Sequence, residues 1–278
     1  MSFRLSSLCW PRSLSPCSLL GIASLCTVAV AAPAFPARAA DRDDDDQAAP
    51  RTVDAAAGVE AGAFLPWSMA ARADSQRALA FVQGGYDSAR GGSLFQATAE
   101  VGLFGRVSLR GGSTYLGPTG TVHPDVAVRV DALRQERHGL DLAASVGYEA
   151  QGFNLTPAIT ARLAASRLFG STRLLANAAY GAGTSQGERF GDLRLAGLRR
   201  VTRDLHVGLD SRFRIDLERD QHEPAGEAEW EVDAGPVAAY TLGRFVVSAS
   251  AGATALKYRL VPGQHAGLIS LLGAGTVF

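Results

Sequence analysis

Charged side chains that recur at every second residue are the groups in this sequence best placed to do chemistry, and they concentrate between Asp192 and Asp233. Asp210, Arg212, Arg214 and Asp216 alternate with Leu209, Ser211, Phe213 and Ile215, while Glu227, Glu229, Glu231 and Asp233 alternate with Ala228, Trp230 and Val232. Successive side chains of an extended strand point to opposite faces, so each charged set shares one face. An antiparallel pairing across the loop from about Glu218 to Gly226 can set Arg214 opposite Glu229 and Arg212 opposite Glu231. Asp210 and Asp233, with Asp216 and Glu227, then fall on the same ladder. Asp192 and Arg194 add an adjacent strand, and Arg106, Arg110, Arg129, Asp131 and Asp141 line another sector. Opposed charges around an aqueous passage create a transverse field that sorts small solutes. The same residues, paired with one another, would form a salt-bridged filling that conducts little. Either arrangement depends on register, because a slip of one residue sends every charge to the other face.

Other chemistries find less support. An enzyme needs a nucleophile beside a base, and none of His123, His138, His206, His222 and His265 is followed by a serine two residues on. His222, near Asp220 and Glu223, leaves a loop-borne hydrolase of the aspartate–histidine type as a minor alternative, and no catalytic residue is assigned. The histidines are dispersed, without the spacing of a zinc motif, so neither a metal site nor another cofactor is expected. The three cysteines, Cys9, Cys17 and Cys26, lie at the N-terminus, where an export leader would carry them away and leave no thiol. Removing Arg4, Arg12 and Arg38 with that leader leaves 24 basic against 27 acidic residues, a balance that gives no case for nucleic-acid binding.

The elements that must position the charges are strands. Period-two alternation is clearest from Leu205 to Leu217 and recurs in Arg106 to Tyr115, Asp125 to Leu133, Leu140 to Tyr148, Phe190 to Leu198 and Gly226 to Tyr240. Weaker runs at Ala78 to Tyr86, Leu94 to Leu103, Phe153 to Ala164, Arg173 to Tyr180 and Phe245 to Lys257, with His265 to Phe278, bring the expected count to about twelve. These runs match the ~9 to 11 residues of a bilayer-spanning strand better than the ~5 to 6 of a soluble one. Short joins at Leu103 to Arg106, Gln135 to Gly139, Arg167 to Ser171, Arg199 to Arg203 and Thr241 to Arg244 follow even-numbered strands. Longer ones, such as Leu116 to Pro124, Asp220 to Gly226 and Tyr258 to Gly263, fall between. Tyr86, Tyr115, Tyr148, Tyr180, Tyr240 and Tyr258 mostly end strands, as in an interfacial girdle.

Ahead of the strands, a basic stretch with Arg4 and Arg12, an apolar run from Leu19 to Ala32 and the Ala37-Arg38-Ala39 site read as a signal peptide, residues 1–39, cleaved after Ala39. Residues 40–75, opening with Asp43 to Asp46, read as an acidic flexible segment or periplasmic linker. Within it, Thr52 to Ala71, containing Pro66 and Trp67, is open to being linker, short helix or a further strand. Residues 76–278, which hold the alternating runs, are expected to form a β-barrel.

A leader, alternating strands to the end of the chain and a terminal phenylalanine resemble the outer-membrane β-barrel proteins of Gram-negative bacteria. In that family the last strand is read by the barrel-assembly machinery, with apolar residues alternating back from an aromatic end. Phe278, Thr276, Ala274, Leu272, Ser270 and Leu268 hold those positions here, with departures at Thr276 and Ser270. The resemblance implies Phe278 and Leu272 as an assembly signal, outer-membrane lipids and the assembly machinery as partners, and an all-β, transmembrane, up-and-down antiparallel fold in the outer membrane. A twelve-stranded phospholipase family shares that location, but its paired histidine and serine are absent, so its activity is not carried over. The expected function is a passive pore for small hydrophilic solutes with a charged lumen. The alternative is a closed structural or adhesive barrel that contacts a partner through its external loops.

Overall fold

The structure, a computed structural model, describes residues 64–68, 78–150, 153, 156–184, 188–217, 228–259 and 261–278. The leader, the acidic run, Glu227 and the trio Asp220, His222 and Glu223 lie outside these residues. Twelve strands form one closed barrel in which each is hydrogen-bonded to its sequence neighbours and the first to the last. They are β1 (Ala78–Asp87), β2 (Gly92–Phe104), β3 (Val107–Leu116), β4 (Thr121–Leu133), β5 (Asp141–Glu149), β6 (Ala158–Phe169), β7 (Thr172–Gly183), β8 (Arg189–Arg200), β9 (Leu205–Asp216), β10 (Ala228–Leu242), β11 (Phe245–Tyr258) and β12 (His265–Val277). Every pairing is antiparallel; β1 meets β12 from Leu79↔Val277 to Asp87↔Ile269, and the Phe278 amide donates to the Ala78 carbonyl at 2.8 Å. Closure leaves no unpaired sheet edge, which a medium without hydrogen-bonding groups requires.

The connections at the two ends differ. At one end residues 105–106, 170–171 and 243–244 turn tightly, with Gly105, Gly170 and Gly243 at φ of 56°, 57° and 63°, values that a side chain disfavours. The longer turn between β4 and β5 at this end carries one helical turn, α1 (Gln135–His138), ended by Gly139 in the left-handed region. The opposite end carries mostly longer loops, up to the stretch between β9 and β10. One expected long loop, Leu116 to Pro124, is shorter than its sequence suggests, because β4 already begins at Thr121. Pro124 is tolerated in β4 because it lies beyond the last β4–β5 pair, Asp125↔Glu149, where its carbonyl still accepts the Ala150 amide at 2.8 Å.

Burial alternates along the strands and sorts the faces. Outward positions carry Val126, Val128 and Val130 on β4, Leu209 and Phe213 on β9, and Leu268 and Leu272 on β12, all exposed. Among the described strand residues, the charged side chains on this face, Arg167, Arg189, Arg199 and Lys257, fall at strand ends. Aromatic rings rim the belt. Tyr86, Phe95, Tyr115, Tyr148 and Tyr180 face out toward the long-loop end, and Phe104, Phe169, Tyr240, Phe245 and Phe278 toward the short-turn end. Water would leave this apolar surface uncovered, whereas a bilayer covers it and its two interfaces accept the rings. Tyr258 departs from the expected girdle: it turns inward, edge-on to His265 with ring centroids 5.3 Å apart, and packs on Phe153, Phe190, Ala158 and Ala228.

The inside of the barrel is filled by more than its walls. Residues 64–68, in the stretch that the sequence leaves open between linker, short helix and further strand, lie within the barrel, with Phe64, Leu65, Trp67 and Ser68 all buried. Phe64 and Leu65 join Phe81, Leu175, Ala196, Leu198, Val237, Ala239 and Val246 in an apolar cluster toward the short-turn end. Glycine shapes the socket: a Cβ on Gly275 would stand 2.3 Å from two carbons of the Phe64 ring. Trp67 lies further along, against Ile269 and Leu271.

Candidate lumen site

The strongest electrostatic feature lies where β9 and β10 pair. Register sets Arg214 opposite Glu231 and Arg212 opposite Asp233, with Asp210 opposite Gly235. The sequence-based alignment is therefore displaced by two residues. A displacement of two preserves which face each side chain takes, so Asp210, Arg212, Arg214, Glu231 and Asp233 still point inward. Alternation alone cannot distinguish registers that differ by two. The loop and the pairing of neighbouring strands decide.

Glu231 is the centre of this network. Its Oε1 accepts from Arg90 Nη2 at 2.6 Å and from Arg212 Nη2 at 3.2 Å, and its Oε2 accepts from Arg214 Nε at 2.9 Å and from Arg214 Nη2. Arg212 also reaches Asp233 Oδ2 through Nη2 at 2.6 Å and Nε at 3.1 Å. Glu231 and Asp233 are wholly buried, and a buried carboxylate is retained only with such charge-assisted partners. On β8, Arg194 clasps Asp192 with Nε to Oδ1 at 2.9 Å and Nη2 to Oδ2 at 2.6 Å, two positions apart on one face. A second cluster lies on β2 to β4, where Arg129 contacts Glu100 at 3.7 Å and Asp131 at 3.3 Å, and Ser108 Oγ donates to Glu100 at 2.6 Å. Arg110 faces the same interior from β3.

Four sequence-assigned residues take other places. Arg106 is exposed in the 105–106 turn, its Nη1 donating to the Ala132 carbonyl at 3.0 Å, because the hairpin uses it as a loop residue. Asp141 is buried at the start of β5, where its carboxylate accepts the Gln135 amide at 2.8 Å and anchors the α1 turn. Glu229 sits in a β-bulge between Ala228 and Trp230, which takes it out of the ladder, and it pairs with Lys257 at the rim. Asp216 turns to Arg259, in the loop that follows β11, at 2.8 Å. Phe278 and Leu272 face outward, each 69% exposed.

The structure adds residues that periodicity did not flag. Arg90 leaves the β1–β2 loop to join Glu231, and Arg162 on β6 contacts Glu149 at 3.5 Å. Arg90 is a loop residue and Arg162 a charge in a weakly alternating segment, so no ladder announces either. The N-terminal segment closes the set: Asp210 Oδ2 accepts the Trp67 and Ser68 amides at 2.9 and 3.3 Å, and Oδ1 accepts Ser68 Oγ at 2.6 Å. Arg194 Nη1 donates to the Trp67 carbonyl at 2.7 Å.

Beside that segment is a cavity of about 200 Å³, bordered by Pro66 and Trp67 and lined by Arg90, Arg110, Arg162, Arg194, Arg212 and Arg214. The carboxylates that reach its surface are Asp125 and Glu149. Asp192, Glu231 and Asp233 stand behind the arginines.

Fold and inner face together define a bilayer-spanning barrel of the outer-membrane type. No family model and no curated protein sequence matches the chain. Among solved structures, the fold is similar to that of the NanC porin, with a TM-score of 0.55, 10% identity, and coverage of 71% of this chain and 98% of that one. The COG4313 outer membrane channel from Pseudomonas putida F1 aligns over 77% of this chain and 97% of its own at a TM-score of 0.44 and 13% identity.

Proposed function

We propose that the chain is exported by its leader to the outer membrane, where its barrel passes small hydrophilic solutes without catalysis and favours anions. The observation that carries this reading is the cavity wall, where six arginines meet two carboxylates. Arg212 and Arg214 hold the carboxylates behind them through Nε and Nη2, and a guanidinium held on one edge has donors on its other edge that can meet a passing anion. The porin likeness supports a barrel able to conduct, and the apolar belt supports its place in a bilayer.

Planar-bilayer recording of the purified protein under a salt gradient tests both parts. Openings are expected, with a reversal potential on the anion side, and Arg110→Gln is expected to move it toward zero. A folded barrel that stays silent at every voltage, both in the native chain and in variants that free residues 64–68, overturns the pore reading. The closed-barrel alternative draws on one observation, the segment seated in the interior.

A further inference from the structure

Phe64–Ser68 occupies the inside of the barrel through two kinds of attachment. One is apolar, the Phe64 ring fully buried against Phe81, their centroids 5.6 Å apart, in the socket that Gly275 leaves open. The other is polar. The Trp67 peptide groups are gripped by both signs of charge, N–H by Asp210 and C=O by Arg194, while Ser68 adds two further bonds to Asp210 and Gln83 Nε2 donates to the Pro66 carbonyl at 3.2 Å. These partners are side chains projecting from the wall, so they can let go without opening the ladder between strands.

Position makes withdrawal feasible. Leu79 and Val277 pack against the cluster that holds Phe64, at the short-turn end where β1 starts and β12 finishes. Ser68 is deeper, at Asp210 midway along β9. The segment thus has its earlier residues nearest the opening and its later ones at the latch, beside the arginine-lined cavity.

We propose that Phe64–Ser68 is a reversible plug, latched by Asp210 and Arg194, whose release opens the barrel to solute. This rests on the pore reading, since a plug matters to transport only where a passage exists behind it. The carboxylate of Asp210 is the chief latch because it accepts three hydrogen bonds from the segment. A neutral, shorter side chain forfeits all three.

The test uses the full-length chain with Cys9, Cys17 and Cys26 changed to serine and the pair Ser68→Cys and Asp210→Cys introduced, locking or freeing the plug by oxidation or reduction. Conductance is recorded in both states, with the crosslink verified by mass. Little current is expected when oxidised and frequent openings when reduced. In a parallel Asp210→Ala variant, with Trp10 and Trp230 replaced by phenylalanine, acrylamide quenching of Trp67 reports release directly. The released fraction is expected to rise about ten- to a hundredfold, the consequence of losing charge-assisted bonds. Equal currents above baseline in the locked and reduced states overturn the plug and leave the pore reading standing, whereas silence in both overturns the pore reading with it. Unchanged quenching of Trp67 in a folded Asp210→Ala barrel overturns the latch. Release seen by quenching without any current overturns both the pore reading and the gating role.

Discussion

Replacing Gly275 by valine should unseat the N-terminal segment from the barrel. The glycine lies on the inner face of β12, and its missing Cβ would fall 2.3 Å from Phe64 Cδ1 and Cε1, well inside contact distance. The strand cannot yield easily, because Gly275 is paired with Phe81 on β1 and Val246 on β11. The ring must therefore leave. Phe64 is fully buried, and losing the burial of a phenylalanine side chain costs about 1.5–3 kcal/mol. At 1.4 kcal/mol per factor of ten, that is roughly a ten- to hundredfold fall in the seated-to-released ratio. The assay is acrylamide quenching of Trp67 in a chain where Trp10 and Trp230 are phenylalanine, with folding verified by the heat-dependent gel mobility of the barrel. Quenching should increase in Gly275→Val, and combining it with Phe64→Ala should give no further increase, because the colliding ring is gone. A folded Gly275→Val barrel with native quenching would refute the reasoning, since Phe64 would then not depend on that socket.

Two other perturbations probe the wall. Glu231→Gln leaves Arg90, Arg212 and Arg214 without their shared anion, and should lower barrel stability by about 3–5 kcal/mol, read from urea unfolding of the refolded protein; an unchanged midpoint would show the arginines to be compensated by water. Leu209→Arg puts a charge on the outward belt midway along β9 and should cost about 2–4 kcal/mol in bilayers, with a far smaller effect if that face met water.

Much of the architecture was legible because the barrel is written in parity. All twelve strands, and the inward direction of Asp210, Arg212, Arg214, Glu231 and Asp233, follow from which residues alternate. What parity cannot encode is displacement by an even number, and the β9–β10 register differs from the sequence-based one by two. Exceptions to regular pleating also escaped it. Glu229 leaves its ladder at a bulge, Arg106 is absorbed by a two-residue turn, and Pro124 looked like a boundary although it lies within β4. The segment at Phe64–Ser68 was the least legible part. It is too short to show a period, it holds a proline, and its principal partner Asp210 lies 143 residues from Trp67. Only the closed barrel brings them together.

The socket for Phe64 joins the two ends of the strand order, with Phe81 on β1 and Gly275 on β12. These residues become neighbours only when the last strand docks on the first. Until that moment there is nowhere for the ring to sit, and the interior stays vacant of its own N-terminal chain. A seated Phe64 therefore reports that the last strand has met the first, because no earlier stage brings both walls of its socket together.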